Sequence, residues 1–160
     1  MVELLRVDER LLHGQVAVTW ISEVSPDSIL IANDEIMEND MAKMALRMVK
    51  PNGVNLAIRS IEGGAEVLND PRAEKLKIFV IVKTMKDAMR LIEKTSSIHK
   101  VNIGGVKKKE GSKLVAAAVY LNDEDLNTLH QLCEKVEQVE FRMIPSDSGK
   151  SGKEVLTNNK

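Results

Sequence analysis

Apolar positions along the chain recur in two different periods, and the alternation between them predicts its architecture. Residues 2–7, 28–32, 55–59, 77–82 and 98–103 are short, mostly apolar runs bounded by turn residues, as expected of parallel strands covered on both faces. Between them the period becomes helical. Over 15–23, Ala17, Ile21 and Val24 share one face while Val16 and Trp20 share the next, which predicts a well-buried helix ended by Ser25-Pro26-Asp27. Met37, Met41, Met44, Ala45 and Met48 fall on one side of a helix over 37–49, and this spacing predicts a core face rather than a partner-binding surface.

A shorter helix over 60–68 is weakened by Gly63 and Gly64. Thr84-x-x-Asp87 opens a helix whose stripe is Met85, Ala88, Met89 and Ile92, and Asn122 caps one carrying Leu126, Leu129, Cys133 and Val136. Residues 114–121 read as one strand. Val139, Phe141 and Met143 alternate with Glu140 and Arg142, which predicts an edge strand with one wet face. After Pro145 the chain turns Ser-, Gly-, Lys- and Asn-rich, so residues 1–146 are expected to form the domain and 147–160 a mobile tail.

Strands alternating with helices predict a single α/β domain with a mainly parallel sheet, helices on both faces and antiparallel edge strands. In such sheets ligand sites gather at the C-terminal ends of strands. The loop after the first strand, Asn33-Asp34 and Gly104-Gly105 are expected on that rim.

Composition narrows the partners. Lys plus Arg number 23 against 24 Asp plus Glu, so no broad attraction to nucleic acid or anionic membrane is expected. Aromatic residues are 2% of the chain, too few for stacking platforms that would hold bases or a sugar, so any sugar is expected to be bound elsewhere. Cys133 is the single cysteine, and no pair of His is spaced for a metal. The start Met1-Val2-Glu3-Leu4-Leu5-Arg6 lacks the pattern of a secretory signal, and no apolar run reaches the roughly 18 residues of a membrane span. A cytoplasmic location is expected. His99 and His130 read as packing or surface residues, and Lys107 to Lys109 as a solvated loop. Gly149-Lys150-Ser151-Gly152-Lys153 imitates a phosphate-binding loop but has Asp147 where the first Gly should stand and Glu154 where Ser or Thr should follow.

Candidate chemistry gathers in Arg6-Val7-Asp8-Glu9-Arg10-Leu11-Leu12-His13-Gly14-Gln15-Val16, between the first strand and the first helix. An imidazole at a strand-to-helix turn can serve as a nucleophile, and its neighbours suit phosphate. Arg10 can clamp equatorial oxygens, backbone N–H groups of about 14–17 open the helix, and Gly14 lets the backbone come close. Asp8 is expected to orient Arg10 or hold the loop, since two anions repel. Arg6, Asp8, Gly14 and Gln15 form the expected phosphate- or loop-binding set around His13 and Arg10. On pattern alone, an ordinary loop histidine capping the helix stays open as the alternative.

These eleven residues closely resemble the active-site loop of the enzyme IIB component of the mannose/fructose/sorbose family of the bacterial sugar phosphotransferase system, whose pattern reads roughly R-[IV]-D-[DE]-R-L-[IL]-H-G-Q-V. Asn33-Asp34-Glu35, Met48-Val49-Lys50-Pro51-Asn52-Gly53, Val82-Lys83-Thr84, Asn102-Ile103-Gly104-Gly105 and Met143-Ile144-Pro145 follow in that family's order. The resemblance implies a phosphocarrier of the same α/β type, cytoplasmic and peripherally associated with a membrane permease. It implies that His13 takes a phosphoryl group on Nδ1 from a phosphohistidine IIA protein or domain, and that the group passes to a sugar held by permease components IIC and IID. No metal or organic cofactor is implied, because the group arrives activated. Two rival readings are a non-catalytic nucleotide- or flavin-binding module and a regulatory protein in which the state of His13 is read rather than passed on.

Overall fold

The most apolar run of the chain lies inside the sheet. In the computed structural model, which describes residues 1–14 and 16–160, Ile78–Val82 (β4) is buried along its whole length. It pairs in parallel with Val2–Asp8 (β1) on one side and with Ser28–Ala32 (β2) on the other. Asn55–Arg59 (β3) extends the sheet beyond β2, and Lys100–Gly105 (β5) followed by Gln138–Phe141 (β8) extends it beyond β1, all in parallel. Lys150–Ser151 (β9) closes the far edge antiparallel to β8, giving the order β3-β2-β4-β1-β5-β8-β9. The α/β class, the parallel core and an antiparallel edge are therefore as expected.

Helices cover both faces. Ile61–Asn69 (α3), Met85–Ile92 (α4), Asp123–Lys135 (α5) and Gly152–Asn158 (α6) pack on one face, where Leu5, Val7, Val80, Val101 and Ile103 meet Ile61, Ala88, Leu91, Leu129 and Leu132. Ile21–Val24 (α1) and Asp40–Val49 (α2) cover the other, where Leu4, Ile29, Ile31, Phe79 and Ile81 meet Val16, Trp20, Ile21 and Leu46. Thr84 caps α4 and Asn122 caps α5 through a full capping box, as their spacings predict. The connections after β1 and after β4 thus run over opposite faces, and the loop after β1 opens between them.

Four expectations need correction. The methionine stripe is not a core face: Met41, Met44 and Met48 are 84%, 62% and 80% exposed. The predicted helix breaks into a 3-10 turn, Glu35–Glu38, and α2, whose phase is set anew by the Asn39 cap. Lying over the β2–β3 edge, α2 meets the sheet through Leu46 and turns its methionines outward. Residues 114–121 are a hairpin of Lys113–Ala116 (β6) and Val119–Leu121 (β7), turned at Ala118 with φ 62°, and it forms a separate small sheet.

The segment expected as a tail carries β9 and α6. Ser151 and Glu154 form a capping box, and Val155 is buried against the core. Leu156 packs partly against the same core, so the helix is docked rather than free. β8 consequently is not the sheet edge. His130 stands outward on α5 and pairs with Glu134, and His99 pairs with Glu137, both on the surface, within the reading given to them.

Candidate active site

Alternation along β1 sends Leu5 and Val7 into the α3–α6 face and Arg6 and Asp8 into the other. Arg6 is 1% exposed, so its charge must be met inside the protein. Its Nη1 donates to Asn102 Oδ1 at 2.5 Å and to the Arg142 carbonyl at 3.2 Å. Its Nη2 donates to Asp8 Oδ2 at 3.1 Å and to the Met143 carbonyl at 3.0 Å. Burial lowers the Arg6 pKa from its ordinary value, and the charge and hydrogen bond of Asp8 oppose that shift. The Trp20 ring covers the guanidinium, its centroid 5.1 Å from Cζ.

This packing explains the paired glycines of β5. A Cβ on Gly104 would stand 2.1 Å from the Arg6 guanidinium, and one on Gly105 would stand 3.0 Å from the Asp8 carboxylate. A side chain at Gly104 would displace the guanidinium, and one at Gly105 would crowd the Asp8 carboxylate.

The loop after β1 is folded back on its own aspartate. Asp8 Oδ1 accepts the backbone N–H of Arg10 at 3.0 Å, and the Asp8 carbonyl accepts that of Leu11 at 2.9 Å. Leu11 adopts the left-handed region at φ 55°, a conformation costly for a branched side chain. Burial of Leu11 and Leu12 in the α1–α2 face offsets that cost and pins the loop. His13 follows at once. Its carbonyl accepts Ala17 N–H at 2.9 Å, starting a wide turn of π-helix at Val16–Trp20 that leads into α1.

His13 Nε2 lies 3.1 Å from Asp8 Oδ2, the same oxygen that Arg6 holds. An ionised carboxylate only accepts, so this bond places the imidazole proton on Nε2 and leaves the lone pair on Nδ1. The side chain is 18% exposed against 3% for Asp8, so a half-open imidazole stands over a buried anion.

Arg10 is exposed beside an open cleft of about 310 Å³ lined by Asp8, Glu9, Gly105, Val106 and Lys107. Among the described residues, chain neighbours aside, nothing lies within 4 Å of where a Cβ would stand on Gly14, which leaves space there for an approaching group. Gln15 lies outside the described residues. Ala17 N–H, one of the expected phosphate donors, is already used by His13.

Asp8 accepts the Arg10 backbone N–H, and the side chain it contacts in the loop is His13 rather than that of Arg10. Arg6 stands behind Asp8, away from the open side. Asn33 and Asp34 serve the scaffold: Asn33 caps the turn at Ile36, while Asp34 accepts from Ile61 N–H and pairs with Arg90. Lys107 lies 3.9 Å from Glu9 and Lys109 is paired with Asp125, in keeping with a solvated loop. Lys150 reaches the Val115 carbonyl and Ser151 caps α6, so the imitation phosphate loop is a structural turn. Trp20, Asn102 and the Arg142 and Met143 carbonyls were not anticipated. A signal existed: Arg6 and Asn102 are polar residues inside apolar strand runs, where a buried polar group needs a partner.

Against known families, the model of the sorbose-subfamily IIB component of the phosphotransferase system matches residues 2–160. The chain belongs to this IIB family. A protein of Streptococcus pyogenes serotype M6 named as a probable phosphotransferase enzyme IIB component is 38% identical over 92% of this chain and 94% of its own length. The mannose-specific EIIAB component of Escherichia coli K12 is 29% identical over 92% of this chain and 46% of its own length, so there the matching region is part of a longer protein. The crystal structure of the IIB domain of the sorbose permease from Klebsiella pneumoniae superposes with TM-score 0.93 at 24% identity, over 100% of this chain and 98% of that one, and shares the fold. Membership in this IIB family makes the chain a phosphotransferase component and disfavours the rival nucleotide-binding and regulatory readings. Among the described residues, no helix of this IIB chain is long and apolar enough to cross a membrane.

Proposed function

We propose that His13 is the phosphorylated residue of this IIB chain, receiving the group on Nδ1 from a phosphohistidine IIA partner and giving it to a sugar bound by the IIC and IID components of a membrane permease. The observation that carries this reading is the contact of Nε2 with the buried Asp8 carboxylate, which leaves Nδ1 as the nucleophilic nitrogen. In the first step the donor P–N bond breaks as the P–Nδ1 bond forms; in the second, P–Nδ1 breaks as a P–O bond forms and the sugar hydroxyl gives up its proton. Such transfers rest mainly on positioning and charge stabilisation, so little further apparatus is required.

Arg10, exposed at the cleft edge, clamps the equatorial oxygens as the group moves. Gly14 contributes backbone that the phosphoryl group approaches. Asp8 stays bonded to Nε2 through both steps, so the carboxylate faces the back of the ring and not the incoming anion. Both partners dock in turn over the His13 loop, which places the chain in the cytoplasm at the inner side of its permease. The mannose-specific relative, in which the matching region belongs to an EIIAB component, supports a IIA partner.

The test is intact-mass and tandem mass spectrometry at mildly alkaline pH after incubation with phosphoenolpyruvate, the general phosphotransferase proteins and a mannose-type IIA protein. One acid-labile phosphoryl group on Nδ1 of His13, discharged by permease vesicles and sugar, is the expected result. An unlabelled chain beside fully phosphorylated IIA, or a label on another residue, overturns it.

A further inference from the structure

His13 is held by two independent routes, and both end on the same atom. The side-chain route runs from Nε2 to Asp8 Oδ2, from that oxygen to Arg6 Nη2, and from Arg6 Nη2 to the Met143 carbonyl at 3.0 Å. The backbone route runs from the His13 carbonyl into the helix it starts, and along that helix to Trp20, whose Nε1–H donates to the same Met143 carbonyl at 2.9 Å. Resting on the assignment of His13 as the phosphorylated residue, we propose that Arg6 and Trp20 are positioning residues for the transfer, fixing ring and backbone of His13 against the Met143 carbonyl just beyond β8.

The surroundings of Arg6 are built for a fixed guanidinium rather than for a mobile phosphate ligand. Four of its N–H bonds are made to Asn102, Asp8 and the Arg142 and Met143 carbonyls, its face is covered by Trp20, and Gly104 leaves it room. Asn102 itself is tied down by donating Nδ2 to the Arg142 carbonyl. The second flank of the indole is Arg142, with Cζ 5.4 Å from the ring centroid, itself fastened to Glu140 and the Pro145 carbonyl. A lysine at position 6 keeps the charge but lacks the planar fork that reaches a carboxylate and two carbonyls together.

The readout that separates positioning from mere stability is the tautomer of the His13 ring, read by nitrogen-15 NMR on histidine-labelled chain, alongside the single-turnover rate of phosphoryl acceptance from a phosphorylated IIA protein that labels the wild type. The expected wild-type state of the neutral ring is Nε2–H. In Arg6→Met the ring becomes a mixture of tautomers and acceptance slows about 10- to 100-fold, the size of loss that small misplacements of reacting groups cause, at unchanged half-saturation by IIA. Arg6→Lys recovers part of both. Trp20→Phe, which keeps a ring but loses the N–H bond, slows acceptance by less than Arg6→Met and leaves the Nε2–H tautomer in place. Should Arg6→Met fail to fold, Arg6→Lys and Trp20→Phe carry the same comparison. Folded Arg6 variants with the wild-type tautomer and rate overturn the proposal. A wild-type chain that takes no label on His13 overturns the underlying functional assignment as well, and does so before any variant is made.

Discussion

The two faces of this sheet are made by the same strands and do opposite things. Against α3–α6 the strands send Leu5, Val7, Val101 and Ile103 into an apolar layer. Against α1, one residue away along β1 and β5, they send Arg6, Asp8 and Asn102. The first face supplies stability by excluding water. The second gives up part of that gain to hold a charge pair in place, and what it gains is an imidazole with a defined free nitrogen. Because strand side chains alternate, one strand can serve both ends without a change of backbone.

Changes on either face should separate these roles. His13→Ala should abolish labelling and leave the melting temperature within a few degrees of wild type, since the ring sits on the surface side of Asp8; a variant still labelled at a normal rate would show that the group lies elsewhere. Asp8→Asn should cost both properties. With both partners almost wholly buried, leaving Arg6 without its carboxylate should lower stability by about 3–5 kcal/mol, and phosphoryl acceptance should fall with the loss of the Nε2 contact. Chemical denaturation and single-turnover transfer read the two effects separately.

Leu129→Ala, on the opposite face, should cost about 2–5 kcal/mol through the cavity it leaves, with the transfer rate of the folded fraction unchanged. A large rate defect there would mean that the two faces are not separable. Arg10→Gln should slow transfer about tenfold with no loss of stability, because its guanidinium is exposed and acts only when a phosphoryl group is present. The smallest effect is expected from acid. Asp70, held near a pKa of about 2 by Arg72, contributes stability above pH 3.8 that is lost as pH falls through about 2, and Asp34, lowered by the Ile61 N–H and by Arg90, acts in the same direction. Thermal midpoints between pH 4 and 2 should fall less steeply in Asp70→Asn, whereas transfer activity at neutral pH should not change.

Most of the scaffold was legible because strands buried on both faces and capped helices leave strong local marks. β4 is continuous apolar sequence, and Thr84 and Asn122 cap where their spacing says they should. The errors came where local marks were absent or outvoted. The hairpin of β6 and β7 turns at Ala117-Ala118 without Gly or Asn, so nothing in the run announced a reversal. α6 had its announcement in Ser151 and Glu154, but the surrounding Ser, Gly and Lys made the segment read as unstructured. The methionines of α2 have core spacing, yet which side of a helix meets the sheet depends on where the helix lies, and an edge position reverses it.

The His13 loop itself was fully visible as a motif. Its partners beyond position 100 were less so: Arg6 and Asn102 stood out as polar residues in apolar strand runs, but nothing local paired Arg6 with Asn102 or with the Arg142 and Met143 carbonyls.

Trp20 is the chain's single tryptophan, and its indole lies against two guanidinium groups with its N–H on the carbonyl that also holds Arg6. Its emission is therefore a built-in optical signal from the anchor of the reactive ring. A charge arriving on His13, or a partner shifting the end of β8, should change the intensity and colour of that fluorescence, so turnover could be followed in real time without attaching a label.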